Sequence, residues 1–288
     1  MNGVKTWFLM AALTVLLVLI GGAVGGSAGM VLFLGIALVM NVLSYWHSDK
    51  IAVRMARAKQ VTEADAPALF RIVRGLAASA NLPMPKLYVT PARQPNAFAT
   101  GRNPSHAVIA VTEGLLNLLT EDELEGVLAH ELAHVKNRDI LVGSIAAVMA
   151  GAITLVGTML RWGLFFGSSD EDSPLGLVGV LAMAILAPIA ALLIQMAISR
   201  SREYGADAGG ASFTRNPEGL ARALLKLEEG AKRAPMAVNP AAAHMFIVNP
   251  LRGQSFVSLF STHPPISERV KKLRAGTSHS IAGTGALR

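Results

Sequence analysis

Positions 6 to 47 contain no Asp, Glu, Lys or Arg. A bilayer crossing takes about 20 apolar residues, so this stretch is long enough for two. The glycine-rich run Gly21-Gly22-Ala23-Val24-Gly25-Gly26-Ser27 is the natural break, and a second apolar stretch, Met30 to Val42, follows at once. A signal peptide has one short apolar core and a small-residue cleavage site. The pattern instead predicts a hairpin of two transmembrane helices. A second apolar block covers 140 to 199, and its only charges are Arg161, Asp170, Glu171 and Asp172. They divide it into Ile140 to Phe166 and Leu175 to Ile198. Pro188 lies inside the latter, where a membrane helix tolerates a kink. The expectation is four transmembrane helices; helices buried in a soluble core are shorter and less free of charge.

Between and after these blocks the pattern is that of a folded polar domain. Thr62-Glu63-Ala64-Asp65 opens a helical pattern with Leu69, Ile72, Val73, Leu76 and Ala80 on its apolar face, stopped by Asn81 and Pro83. Lys86 to Thr90 and the β-branched run His106 to Thr112 read as strands. Asn96-Ala97-Phe98-Ala99-Thr100, between Pro95 and Gly101, reads as a short edge strand. Thr120 and Glu123 form a capping box, which starts a helix running through Leu124, Val127 and Leu128. Asn216-Pro217 pairs an N-cap with proline at the first helical position, predicting a helix to about Gly230. Residues 231 to 262 show no clear period. Pro265 to Leu273 reads as one more helix, and the small, polar tail from Ala275 as disordered.

Charge adds orientation. The chain is 16% charged, with a net charge of +7. Residues 48–139 hold 11 basic and 10 acidic residues, residues 200–288 hold 13 and 6, and the loop 161–174 holds one and three. Lys50, Arg54, Arg57 and Lys59, and again Arg200 and Arg202, flank the apolar blocks. By the positive-inside rule both polar segments are cytoplasmic and the acidic loop is outside. The positive charge is then mainly topological, with anionic lipid as a further contributor. No nucleic-acid motif accompanies it, and nucleic acid is not expected as a partner. The absence of cysteine excludes disulfides, thiolate zinc sites and a cysteine nucleophile.

The chemistry concentrates at His130-Glu131-Leu132-Ala133-His134, an HExxH motif in the third turn of the capped helix. Positions i and i+4 share a helix face, so both imidazoles reach one metal ion. Glu131 then stands beside the open coordination position, where it can take a proton from an attacking water and pass it to a leaving amine. Catalytic zinc takes three protein ligands, and no further histidine follows at the extended spacing. Glu203 and Asp207 also lie four apart. Glu203 is the candidate third ligand, and Asp207 a carboxylate that holds a ligand histidine in its tautomer. His134 lies about 9 Å of helix before Ile140, and Glu203 about 7.5 Å after Ile198. Antiparallel neighbouring spans therefore bring all three to similar heights. His263, in Thr262-His263-Pro264-Pro265, either enters the site as an oxyanion donor or caps the following helix at the surface.

Two N-terminal spans, HELAH, two further spans, SREYGAD and STHPP resemble the HtpX membrane metalloproteases, relatives of the prenyl-protein (CAAX) endopeptidases. The resemblance covers nearly the whole chain. It implies a mainly α membrane protein with four transmembrane helices and a cytoplasmic α+β gluzincin-type domain carrying a small β-sheet. It implies one zinc ion per chain on His130, His134 and Glu203, with Glu131 as the base. It implies substrate binding along Asn96, Ala97 and Phe98, where a substrate backbone adds as a strand. The expected division is a transmembrane hairpin at 1–47, a first protease part at 48–139, a second helix pair at 140–199, a second protease part at 200–274 and a tail at 275–288. The implied role is cleavage of misfolded or damaged membrane proteins at the cytoplasmic face of a bacterial inner membrane, under stress, with both termini cytoplasmic. The alternatives are a CAAX-type processing endopeptidase and a non-catalytic zinc-binding membrane scaffold.

Overall fold

Glycine decides where the first helix folds back. The computed structural model describes residues 2–143, 145, 200–233 and 264–283. Helical backbone runs through α1 (Asn2–Met55), but it is not one rod. Straight, it would hold residues 10 and 41 about 46 Å apart. Instead the Asn41 side-chain amide donates to Thr14 Oγ1 at 2.9 Å and to the Met10 carbonyl at 3.3 Å. The reversal falls at Gly26, in the left-handed region with φ 58°, a conformation open to glycine at no steric cost. Gly21 and Gly29 approach so closely that a Cβ on either would strike the other's carbonyl. The predicted break is thus a helical hairpin. Gly26–Met55 is long and apolar enough to cross a membrane, and Thr6–Gly22 is a shorter apolar helix. Trp7, Phe8, Val15, Leu19, Val31 and Leu32 are exposed on it, an apolar surface of the extent that marks a contact with a membrane or a partner.

The polar part is mostly helical around a small mixed sheet. Its strands are β1 (Lys59–Gln60), β2 (Lys86–Thr90), β3 (Ala97–Thr100) and β4 (Val108–Thr112), in the order β1-β2-β4-β3. β2 runs parallel to β4 with Leu87 opposite Ile109, and β3 antiparallel to β4 with Phe98 opposite Ala110. Side chains alternate between faces. Leu87, Ile109 and Val111 enter the main core with Leu69, Val73 and Leu76 of α2 (Pro67–Ala80) and Val127 and Leu128 of α4 (Glu121–Lys136). Tyr88, Phe98 and Ala110 face the opposite way and receive Ala52 and Ala56 from the end of α1. Between sheet and α4 lies a short helix, α3 (Glu113–Leu118), whose Leu115 amide is capped by Thr112 Oγ1 at 3.2 Å.

The strand at Lys86–Thr90, the edge strand and the capping box at Thr120 are as expected; the Thr120 amide donates to Glu123 at 2.9 Å. Other boundaries move for local reasons. α2 starts at Pro67, because Thr62 and Asp65 close a turn on each other, Thr62 Oγ1 donating to Asp65 at 2.6 Å. β4 starts at Val108, because Pro104–His106 forms one 3₁₀ turn. α6 (Pro217–Arg233) is capped by Asn216, whose Oδ1 accepts from the Gly219 amide at 3.2 Å, and runs past Gly230. α7 (Ile266–Gly283) continues through the start of the segment expected to be a disordered tail. The pattern anticipates neither β1 nor α3. The expected third and fourth spans, apart from residues 140–143 and 145, and the segment 234–262 lie outside the described residues.

α4 is the hub, packed against α2, α5 (Arg200–Thr214), α6 and β3. Small residues permit the approach. A Cβ on Gly126 would meet the Leu220 backbone of α6, and one on Gly210 would sit 2.8 Å from the His130 amide nitrogen. Alanine is the better helix former by about 0.5–1 kcal/mol. At Gly210 the obstacle is backbone, which cannot step aside, so the clash wins. Gly210→Ala is expected to destabilise by about 1–3 kcal/mol and to weaken metal retention by prising α5 from α4. At Gly205 on the same helix an added Cβ would have no neighbour within 4 Å among the described residues, so Gly205→Ala is expected to stabilise by about 0.4–1 kcal/mol. Thermal unfolding of the two variants checks the opposite signs.

Candidate metal centre

Ten residues into α4, its buried side presents His130 and Glu131, with His134 one turn on. The Gly210 contact holds α5 alongside, and the face it presents carries Glu203 and Asp207, both buried. His130, His134 and Glu203 each offer a ligand atom, and these atoms all lie within 4.8 Å of one another. His130 Nε2 is 3.2 Å from His134 Nε2, and the Glu203 carboxylate stands 3.7 Å from the first through Oε2 and 3.5 Å from the second through Oε1. Donors about 2.0–2.1 Å from a tetrahedral ion are about 3.3 Å apart, so the triangle is close to the face of a zinc coordination sphere. Its nitrogen and oxygen donors suit that ion as well.

Each histidine is backed by a carboxylate. His130 Nδ1 is 2.9 Å from Asp207 and His134 Nδ1 is 3.1 Å from Asp139. A proton on each Nδ1 leaves both Nε2 lone pairs facing the triangle, the tautomer a metal requires. Asp207 is named from the sequence and Asp139 is not. Nor is Arg269 of α7, which is 0% exposed. It donates to Asp207 through Nε at 2.9 Å and Nη2 at 2.7 Å, and its Nη1 is 3.7 Å from Glu203. Burial alone would raise the Asp207 carboxyl, but hydrogen bonds from Arg269 and His130 hold it at about 2. Asp207 is thus an anion across the working pH range. Arg202, beside Glu203, is a topological charge in the sequence reading; here it faces Asp139 and Glu203, with its Nη2 buried and unbonded among the described residues.

Burial pushes the Glu131 carboxyl upward; the two histidines pull it down, Glu203 raises it further and the Ala99 amide donates to it, leaving it above the ordinary carboxylate range. A carboxyl so placed exchanges protons closer to neutrality. Burial lowers His134, yet hydrogen bonds to Asp139 and Glu203 and the charge of Glu131 raise it to about 10. Without an ion the cluster therefore keeps a proton at the place of a ligand. Metal binding below that pH must release it, so apparent affinity falls about tenfold per pH unit of acidification. Calorimetric metal titrations in buffers of different ionisation heat are expected to show at least one proton released per ion near neutral pH; heats independent of buffer would contradict this.

The edge strand reaches the site through a residue other than those expected. Asn96, Ala97 and Phe98 are buried. The Asn96 amide and carbonyl are both taken by Thr112, at 2.9 Å each, and Phe98 points into the α1 contact. It is Ala99, one residue on, whose amide meets Glu131. His263 lies outside the described residues; Pro264 after it is buried against the start of α7.

The profile of peptidase family M48 matches residues 63–277. A protease HtpX homolog from Pelotomaculum thermopropionicum is 60% identical over 278 residues, covering 96% of this chain and 99% of its own. Another from Pyrococcus furiosus is 56% identical, with 94% of each chain covered. Among solved structures, that of Saccharomyces mikatae Ste24p shares the fold over 95% of this chain at a TM-score of 0.51 and 19% identity, and the chain spans 63% of its length. With the HExxH helix, the helix that completes the triangle and this extent of likeness, the chain belongs to peptidase family M48, in its HtpX branch, and is a membrane metalloprotease.

Proposed function

We propose that the chain is a zinc endopeptidase held in a bacterial inner membrane by four spans, cutting misfolded or damaged membrane proteins at the cytoplasmic face as part of a stress response. The observation that carries this reading is the triangle of His130, His134 and Glu203 with Glu131 beside it. Zinc bound there supplies Lewis-acid polarisation of a peptide carbonyl and acidifies a water molecule. Glu131 removes the water's proton as the carbonyl is attacked, then delivers it to the departing amine. Asp207 and Asp139 keep the histidines turned inward. His263 is the proposed donor to the oxyanion. Ala97 and Phe98 shape the edge strand, Asn96 anchors it to β4, and the outer edge of β3 takes the substrate as an added strand.

The domain plan follows: hairpin 1–47, protease parts 48–139 and 200–274, helix pair 140–199. Helical residues 139–143 leave the site directly, and Val142 and Ile145 pack on Leu9, Leu13 and Leu17 of the hairpin. That contact supports a third span running beside the first. The balance of basic residues supports a cytoplasmic site and cytoplasmic termini. A site about 9 Å beyond the apolar block, with an edge that needs extended chain, favours unfolded juxtamembrane segments over folded loops.

The test uses the full chain in detergent with three substrates: an unfolded membrane-protein fragment, the same protein folded, and a prenylated C-terminal peptide. Cleavage is expected of the unfolded fragment alone, lost with a chelator and restored by zinc. Cleavage of the prenylated peptide alone would transfer the chain to CAAX-type processing, and chelator-resistant cleavage would remove the metal from the reaction.

A further inference from the structure

The end of α1 carries a feature that the peptidase site does not use. Trp46, Lys50 and Arg54 recur every four residues, so they share one side of the helix, and Arg57 follows in the turn just past its end, at φ 52°. Where that side meets the back of the sheet, Lys50, Val53, Arg54 and Arg57 line a cavity of about 400 Å³, walled opposite by Tyr88 and Val108. Lys50, Arg54 and Arg57 are exposed, and none forms an ion pair or side-chain hydrogen bond with a described residue. Among the described residues, Asp49 is the one acidic group in the lining. Lys50 and Arg54, four apart on the helix, repel each other, and an anion seated between them and Arg57 relieves the repulsion.

The position on the helix names the anion. Gly26–Met55 is the described helix long and apolar enough to cross a membrane, so its last turns emerge at the headgroups. Trp46 marks the boundary: the residue is 54% exposed, and the Arg102 guanidinium lies over its ring, 4.6 Å from the centroid. Aromatic side chains of this kind settle at the membrane–water interface. Lys50 and Arg54 are about 6 Å and 12 Å further along the axis, within reach of lipid phosphate for long, flexible cations.

We infer that this cavity binds the phosphate of an anionic phospholipid headgroup. Such a contact fastens the back of the sheet to the bilayer surface and sets the height of the β3 edge above it. The inference rests on the membrane reading, whose failure has its own readout: a chain that does not span lipid will not enter nanodiscs.

The test is native mass spectrometry of the full chain, titrated with phosphatidylglycerol and with phosphatidylcholine. Wild type is expected to hold one phosphatidylglycerol at least tenfold more tightly than phosphatidylcholine. The double variant Arg54→Gln with Arg57→Gln is expected to lose that preference, each cation near a membrane surface being worth about fivefold. Arg71→Gln, which removes an exposed cation paired with Glu121, is expected to change nothing. Metal content and chelator-sensitive proteolysis report whether the double variant folds. Should it not, Lys50→Gln alone and competition on the wild type carry the test. Millimolar inorganic phosphate is expected to leave the lipid in place. Displacement by phosphate would make the ligand a free anion, and equal retention of both lipids by wild type, or of phosphatidylglycerol by the variants, would overturn the site.

Discussion

Glu131→Gln is expected to lower turnover of an unfolded protein substrate by about 10²- to 10⁴-fold, the range a positioned acid–base group supplies, with metal content unchanged. The amide has the shape of the carboxyl, and its oxygen still accepts from the Ala99 amide that now donates to Glu131. It lies beside the ligand triangle without belonging to it, so zinc stays. What the variant lacks is a group that gains and returns a proton. Proteolysis measured beside atomic absorption separates the two properties. A variant that cuts within tenfold of wild type would remove Glu131 from the chemistry, and one that has lost zinc would make it a ligand. If the purified wild type cuts itself, the variant will also yield more intact chain.

Glu203→Gln is expected to empty the site. Catalytic zinc takes three protein ligands; this change leaves two histidines and a neutral amide, and takes the anion from in front of Arg269, 3.7 Å away. The loss in affinity should exceed the factor of about 10 to 100 that attends loss of an outer hydrogen-bond partner. Asp207→Asn or Asp139→Asn should fall within that smaller range. The comparison is therefore an ordering: wild type, then the two aspartate variants, then Glu203→Gln, measured as zinc dissociation constants by competition with a chromogenic chelator. Full zinc in the Glu203 variant would exclude Glu203 as a ligand, and a larger loss at Asp139 or Asp207 would invert the roles.

The strong local signals were sufficient where one segment decides its own shape. The Thr120–Glu123 box, the strand run Lys86–Thr90 and the glycine run at the turn of the hairpin are short-range, and each has its expected counterpart. The HExxH spacing needed only one helix. Glu203 required an argument across a long gap, and the structure brings its carboxylate beside the two histidines. Arg269 escaped notice because it sits in a basic stretch that reads as a solvated face. Its position nevertheless signals burial: Ile266, Val270 and Leu273 line the inner side of α7, and 269 is three residues after the first and four before the last. A charge on an apolar stripe marks a paired partner inside. Asp139 lies past the end of α4, beyond the reach of helical spacing, and Ala99 acts through its backbone, on which side-chain patterns are silent.

The ligand triangle takes two corners from α4 and the third from α5, some seventy residues later, and Arg269 arrives later still to clasp Asp207. A chain emerging from the ribosome consequently carries HExxH long before it carries a complete centre. Until Glu203 has been made and has reached α4, the first half is a histidine pair without its carboxylate. The centre is therefore incomplete for as long as α5 is missing, and the half-made chain is no peptidase.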